Sequence, residues 1–208
     1  MSTDDDLLSV LAAHEPRERA DAARNRRVAL AAADRLFAER GARNVSMDDV
    51  AAAAGVGKGT LYRRFNDRAG LALAVLEDKE RELQDAVIRG APPLGPGAPA
   101  AERLRAFLHA LLDLLDAHTD LHVLSETSSP GARYRSGLYA FYRLHVELLL
   151  RELVPRRDPA VLADQLLAPL AVDLFVHLRD ERRVEVERIR AGLTTLVDAV
   201  VAAGAASG

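Results

Sequence analysis

The sequence predicts an all-α protein of about nine helices, on three observations. Apolar residues recur at helical spacing through most of the 208-residue chain, and no segment alternates as a half-buried strand would. Aromatic residues make up only 4% and Trp is absent, so the core must be built from Leu, Val and Ala, which suits helices. No proline falls between Arg17 and Ala91, which leaves room for long uninterrupted helical runs.

The elements follow in order. Leu30, Ala33 and Phe37 share a face with Ala29 and Leu36, which places a helix over about 25–40, closed by Gly41. Ser46 is a good N-cap for a second helix over about 47–54, with Asp48 and Asp49 at its positive end and Gly55 at its stop. A short third helix is expected over about 58–64. Asn66 or Asp67 then caps a fourth that continues to about residue 88.

Gly90, Pro92, Pro93, Gly95, Pro96, Gly97 and Pro99 follow as a stiff non-helical linker, where a boundary is expected between a small module and a larger helical body. Amphipathic segments come next at about 101–117, 119–127, 132–154, 159–179 and 184–203, separated by Pro130, Pro155 and Pro159. Pro169 should kink the fourth of them.

A hydrophobic fraction of 49% with 28% charged residues fits a globular protein with a sizeable core. The absence of Cys excludes disulfides and thiolate metal sites. The early apolar run from Leu7 to Ala13 is short and follows Asp4 to Asp6, where a secretion signal would be basic. No stretch of about 18 consecutive apolar residues suggests a membrane span, so a cytoplasmic protein is expected.

The net charge of -3 is unevenly spread. Arg24 to Leu76 carries ten Lys/Arg against five acids, whereas residues 1–23 hold two against six. A basic segment in an acidic protein points to a localised face for a polyanion. Within it, Gly55-Val56-Gly57-Lys58-Gly59-Thr60-Leu61-Tyr62-Arg63-Arg64-Phe65 sets basic and hydroxyl groups outward, with Leu61 and Phe65 inward, after a glycine-bearing turn. Such a helix suits a DNA groove: small Ala51 and Ala54 let two helices cross closely, and Gly55 and Gly57 supply the turn. One of only two lysines in the chain, Lys58, opens this helix. A charged run alone is ordinarily a solvated face; the surrounding helix-turn-helix grammar argues for recognition.

These motifs resemble the tetracycline-repressor (TetR/AcrR) family of bacterial transcriptional regulators. The resemblance rests on Leu36-Phe37-Ala38-Glu39-Arg40-Gly41, Val45-Ser46-Met47-Asp48-Asp49-Val50-Ala51, Ala54 to Tyr62, and Phe65, and covers roughly residues 24–75. It implies an N-terminal extension over 1–23, a three-helix DNA-binding domain over 24–75 and a ligand-binding and dimerisation domain over 76–208. It also implies DNA contacts by Ser46, Lys58, Gly59, Thr60, Tyr62, Arg63 and Arg68. Tyr62 takes the place of a phosphate-contacting tyrosine, and Arg68 stands where a Lys is more usual. Arg64 replaces a commoner aromatic or polar residue. Arg24, Arg26 and Arg27 are candidates for a basic arm.

The partners implied are a palindromic operator in double-stranded DNA, a small-molecule effector and a second copy of the chain. Ile189, Leu193, Leu196, Val197, Val200 and Val201 form one apolar stripe, with Val161, Leu166, Val172 and Phe175 on its expected partner, as in a four-helix dimer bundle. His122, Glu126, Tyr142, His145, Asp173 and His177 are polar or aromatic residues on otherwise apolar faces and are the candidates for an effector site. His118 and His122 stand at a spacing that zinc accepts, but no neighbouring motif supplies a third ligand, and no cofactor or metal is expected. Two alternatives remain open: a helical metal- or cofactor-dependent enzyme, for which no catalytic motif is found, and an architectural DNA binder without an effector.

Overall fold

The computed structural model describes residues 3–126, 131–135 and 137–205. Side chains are described from residue 21 onward within those spans, except at 124–126, 132 and 135. Among the described residues every regular element is helical. The chain divides into two compact units, Met1–Val75 and Leu76–Gly208.

In the first unit, α1 spans Thr3–Arg40, α2 Met47–Ala54 and α3 Lys58–Phe65, followed by the opening residues of α4, which spans Arg68–Arg89. Helix α1 therefore starts some 20 residues before the expected point. The leader is rich in Ala, Leu, Glu and Arg, all good helix formers, and the helix runs through Pro16. Ala29, Leu30, Ala33, Leu36 and Phe37 of α1 are buried with Val50, Ala51, Leu61, Phe65, Leu71 and Val75, so the periodic face forms the core of this unit.

Two glycines are needed here for different reasons. Gly55 closes α2 in the left-handed region, at φ 63° and ψ 29°. Gly70 allows close approach, since a Cβ there would lie 2.1 Å from the Phe65 carbonyl oxygen. Gly57 does not have the role expected of it: at φ -66° and ψ 136° its backbone is one that any residue adopts. At the next junction Asn66 itself takes a positive φ of 67°. Asp67 caps α4, its Oδ1 accepting from the Gly70 amide at 2.8 Å.

The second unit comprises the rest of α4 with α5 (Ala100–Ala117), α6 (Thr119–Glu126), α7 (Ala132–Arg135), α8 (Gly137–Leu153), α9 (Pro159–Leu167), α10 (Val172–Val176) and α11 (Val186–Ala205). Helix α5 lies at its centre. Leu104, Phe107, Leu108, Leu111, Leu112 and Leu115 of α5 are buried against α8 and α11. Each such side chain contributes about 1.5–3 kcal/mol on burial. The proline-rich segment expected as a boundary lies inside this unit, where Leu94 packs against the core.

The segment expected as one kinked helix over 159–179 is broken more thoroughly. Helix α9 ends at Leu167, a 3₁₀ turn carries Ala168–Leu170, α10 restarts at Val172, and a π-helical turn spans His177–Glu181. Pro169 cannot donate to the helix, and the carbonyls freed at the break accept from Arg133, at 2.8 Å for Leu170 and 3.3 Å for Leu167. By length and hydropathy (a mean of 1.6), Pro159–Glu181 is apolar enough to cross a membrane, contrary to the sequence expectation. Its apolar side chains Leu166, Leu167, Leu170, Val172 and Phe175 lie in the core of this unit.

The apolar stripe of α11 also divides. Ile189, Leu193 and Val197 are buried within the chain, as are Leu166, Val172 and Phe175, so these six pack inside one subunit. Only Leu196 (44% exposed) and Val161 (51%) of the expected interface project fully, joined by Leu174 (40%).

Candidate nucleic-acid interface and buried polar cluster

Helix α3 is held from below by Leu61 and Phe65, 2% and 7% exposed, which fixes which face turns outward. Lys58, Gly59, Tyr62, Arg63 and Arg64 are exposed and Thr60 is half-buried. The preceding helix is rigidly terminated. Ser46 and Asp49 form a capping box: the Asp49 amide donates to Ser46 Oγ at 3.1 Å, and the Ser46 amide donates to Asp49 Oδ2 at 2.9 Å. The Ser46 hydroxyl also donates to Asp49, and these bonds hold the Asp49 carboxyl below its ordinary range.

The basic residues are not equivalent. Lys58 Nζ is paired with Asp48 Oδ2 at 2.5 Å, both side chains more than half exposed. Such a pair is worth little in water and is readily exchanged for a phosphate. Arg64 donates through Nη1 to the carbonyl of Ala22 on α1, so it ties α3 to α1. Arg68 donates to the Arg43 carbonyl at 2.6 Å. Arg63 projects from α3 beside Tyr62.

An open pocket of about 410 Å³ is lined by Arg43, Asn44, Ser46, Tyr62, Asp67 and Arg68, with Val45 and Met47. It collects three of the sequence-selected residues, Ser46, Tyr62 and Arg68, at the N-terminus of α2, where free amides and a partial positive charge favour an anion. Arg43 and Asn44 were not selected from sequence. Arg43 was visible only as one member of the basic segment, and its place at the pocket comes from the short turn Ala42–Asn44.

In the second unit two of the six effector candidates, Tyr142 and His145, meet on Phe107, and a third, His122, shares with Tyr142 the field of Arg133. Tyr142 and His145 on α8 are 7% and 9% exposed, and His122 on α6 is half-buried. Tyr142 Oη, His145 Nε2 and His122 Nε2 are buried without a hydrogen-bond partner among the described residues, as is Arg103 Nε on α5. The rings of Tyr142 and His145 meet Phe107 at 5.5 Å and 4.7 Å between centroids, and Phe141 stacks on His145 at 6.5 Å. Burial depresses His145 to about 4, with the Arg103 charge adding to the effect. Burial likewise lowers His122 to about 4, with Arg133 and His118 adding. Desolvation pushes the Tyr142 hydroxyl well above the usual phenol range, aided by Glu80.

The other three candidates do not join this cluster. Asp173 is exposed at the start of α10, where its carboxylate accepts from the Leu174 amide. His177 is exposed in the π-helical turn, its Nδ1 2.7 Å from Glu181 Oε2. Their i, i+4 spacing is kept, the His177 amide donating to the Asp173 carbonyl, but both side chains lie exposed and each is engaged locally. The side chain of Glu126 lies outside the described residues. Among the described residues no group of three His or acidic side chains is placed to hold a metal.

A capped helix, a glycine turn and a second helix presenting basic and hydroxyl groups make a helix-turn-helix, the reading element of a DNA-binding transcriptional regulator. Residues 29–75 match the family described as bacterial regulatory proteins, tetR family. An HTH-type transcriptional regulator of Staphylococcus aureus (strain bovine RF122 / ET3-1) is 27% identical over 178 residues, 83% of this chain and 91% of that protein. A protein of Saccharomonospora viridis, described as a transcriptional regulator and solved in complex with choline, superposes with a TM-score of 0.65 at 22% identity, over 85% of this chain and 96% of that one. A TetR/AcrR-family regulator of Thermobifida fusca YX-ER1 does so with a TM-score of 0.59 at 23% identity, over 83% and 95%. Residues 29–75 thus carry the DNA-binding module of the tetR family of bacterial regulatory proteins, and the chain is a DNA-binding transcriptional regulator.

Proposed function

We propose that the protein is a cytoplasmic, homodimeric repressor that binds a palindromic operator and is released from it by a small-molecule effector. The outward array on α3, seated on Leu61 and Phe65 behind a capped α2, carries this reading. Lys58, Gly59, Thr60 and Arg63 enter the major groove, while Ser46, Tyr62 and Arg68 hold phosphates around the pocket at the start of α2. Arg64 is excluded from this set because its guanidinium is engaged with α1.

Two copies associate through the outer faces of α9 to α11, where Val161, Leu174 and Leu196 remain exposed. Dimerisation sets two reading helices about 34–36 Å apart, one turn of DNA. The effector occupies the cluster around Tyr142, His145 and His122, where polar atoms lack partners. Its differential affinity for the two arrangements of the reading heads need supply only about 1–3 kcal/mol of coupling. Helix α4, unbroken from Arg68 to Arg89, is the covalent path for that coupling.

Selection of bound DNA from a random pool tests the reading directly, and a palindromic product is expected. Tyr62→Phe combined with Arg63→Ala should weaken binding to that product and reduce the salt slope by about 1 for each phosphate that is no longer neutralised. Unchanged affinity and slope would remove α3 from the interface. A monomer in sedimentation at micromolar concentration would remove the dimer.

A further inference from the structure

We infer that the effector is an organic carboxylate with an apolar body, held by hydrogen-bond donors from Arg103, Tyr142 and His145. The inference rests on the effector site proposed above and names the chemistry that site selects. Three observations carry it. The first is the set of orphaned atoms. A buried polar atom without a partner costs roughly as much as a lost hydrogen bond, and natural cores hold few of them. Among the described residues four occur, on three helices: Arg103 Nε on α5, His122 Nε2 on α6, and Tyr142 Oη and His145 Nε2 on α8. Arg103 stands one turn before Phe107 on α5, and the Phe107 ring touches both Tyr142 and His145.

The second observation is the chemistry of those atoms. Arg103 Nε–H donates only, and the Tyr142 hydroxyl, kept protonated by burial, is a ready donor. A neutral imidazole supplies one further N–H, and burial keeps both histidines neutral. The complementary ligand therefore presents acceptor oxygens. The third observation is the field. The guanidinium of Arg103 acts on His145, and that of Arg133 acts on His122 and Tyr142, whereas among the described side chains the one carboxylate acting on any of the three is Glu80 on Tyr142. A positive surround favours an anion.

The apolar body has its own complement in Phe107, Phe141, Leu104 and Leu108. A quaternary ammonium ion also binds aromatic rings. In this cluster, however, the rings pack on one another, with Phe141 parallel to His145 within 8°, and a cation would face Arg103.

The test is calorimetric titration of the full chain at pH 7 with matched probes. These are hexanoate, octanoate and phenylacetate, the alcohol and trimethylammonium counterpart of each, and choline. At least one carboxylate should bind tenfold or more tightly than its alcohol and ammonium counterparts. Arg103→Gln and Tyr142→Phe should each weaken that binding about tenfold or more, the loss expected for a hydrogen bond to a charged group. Tighter binding of the ammonium series, affinity unmoved by both substitutions, or no binding by any carboxylate would overturn the assignment. Operator binding with each probe separates this inference from the effector reading. Release by choline alone sinks the carboxylate and leaves the effector standing. A carboxylate that binds as expected but leaves operator affinity unchanged supports the carboxylate site and overturns its regulatory role.

Discussion

Acidification should destabilise this protein chiefly through His122 and His145, before its carboxylates titrate. His122 and His145 have an ordinary value of 6.5 and are depressed to about 4 in the folded chain, chiefly by burial. A depressed histidine binds its proton more weakly when folded than when unfolded. The unfolded state therefore takes up more protons as pH falls below 6.5, and stability declines until the folded value is reached near 4. At pH 5 an unfolded imidazole is almost fully protonated and a buried one almost neutral. Relative to pH 7, each histidine then costs about 2 kcal/mol, and the pair about 4, a large share of a domain's net stability. The figure is insensitive to the folded value: raising it to about 5 lowers the cost by only a few tenths of a kcal/mol. Urea unfolding at pH 7, 6 and 5 measures it. His145→Phe keeps an aromatic ring against Phe107, and His122→Gln keeps polarity without titrating in this range. Each variant should remove a comparable share of the pH dependence and the double variant most of it, with His109, which burial also lowers, supplying part of the rest. A double variant with the slope of the unaltered chain would refute the reasoning.

The remaining predictions concern caps and cores. Ser46→Ala breaks the capping box with Asp49 and should cost about 1 kcal/mol in chemical unfolding, with weaker operator binding beyond what that loss explains. Tyr142→Phe deletes a buried hydroxyl without a partner, so the free protein should become more stable by about 1 kcal/mol or more, read as a higher urea midpoint. A lower midpoint would show that the hydroxyl is satisfied.

The DNA-binding half was the more legible in sequence, because its signals are local. Ser46 with Asp49, Gly55 at a helix stop, and Leu61 with Phe65 at i, i+4 each specify geometry within a few residues. What escaped were contacts between distant residues. Arg64 looks like a groove-facing cation until the carbonyl of Ala22, 42 positions earlier, is seen to hold it. The start of α1 was missed because no apolar period marks the leader, although its composition favours a helix. In the second half, helical spacing showed which residues share a face but not what that face meets. Ile189, Leu193 and Val197 read as well for a dimer seam as for the intrachain packing they make. Asp173 and His177 do share a helical face, but that face meets solvent and not the buried cluster. Arg103 gave no signal, being one of two arginines on an amphipathic helix.

The two units differ in how fully their polar side chains are partnered, and the contrast bears on mechanism. In the first, Ser46, Asp49, Asp67, Arg64 and Arg68 all have partners, so the reading helix is held in one geometry before DNA arrives. Preorganisation of this kind removes ordering cost from binding. The second unit satisfies some of its polar side chains as fully: Glu147 receives Arg143 and Arg151, and Arg179 joins Asp116 to Thr119. Against that background the orphaned atoms of Arg103, His122, Tyr142 and His145 stand apart, two of them on the rings that pack against Phe107. Each forfeits stability in the free chain that a ligand with matching acceptors would restore. The free energy restored is available to bias an equilibrium only if one arrangement of the helices holds the four atoms closer to that ligand than another does. Helices α5, α6 and α8, which carry them, are therefore the elements whose relative positions an effector would set.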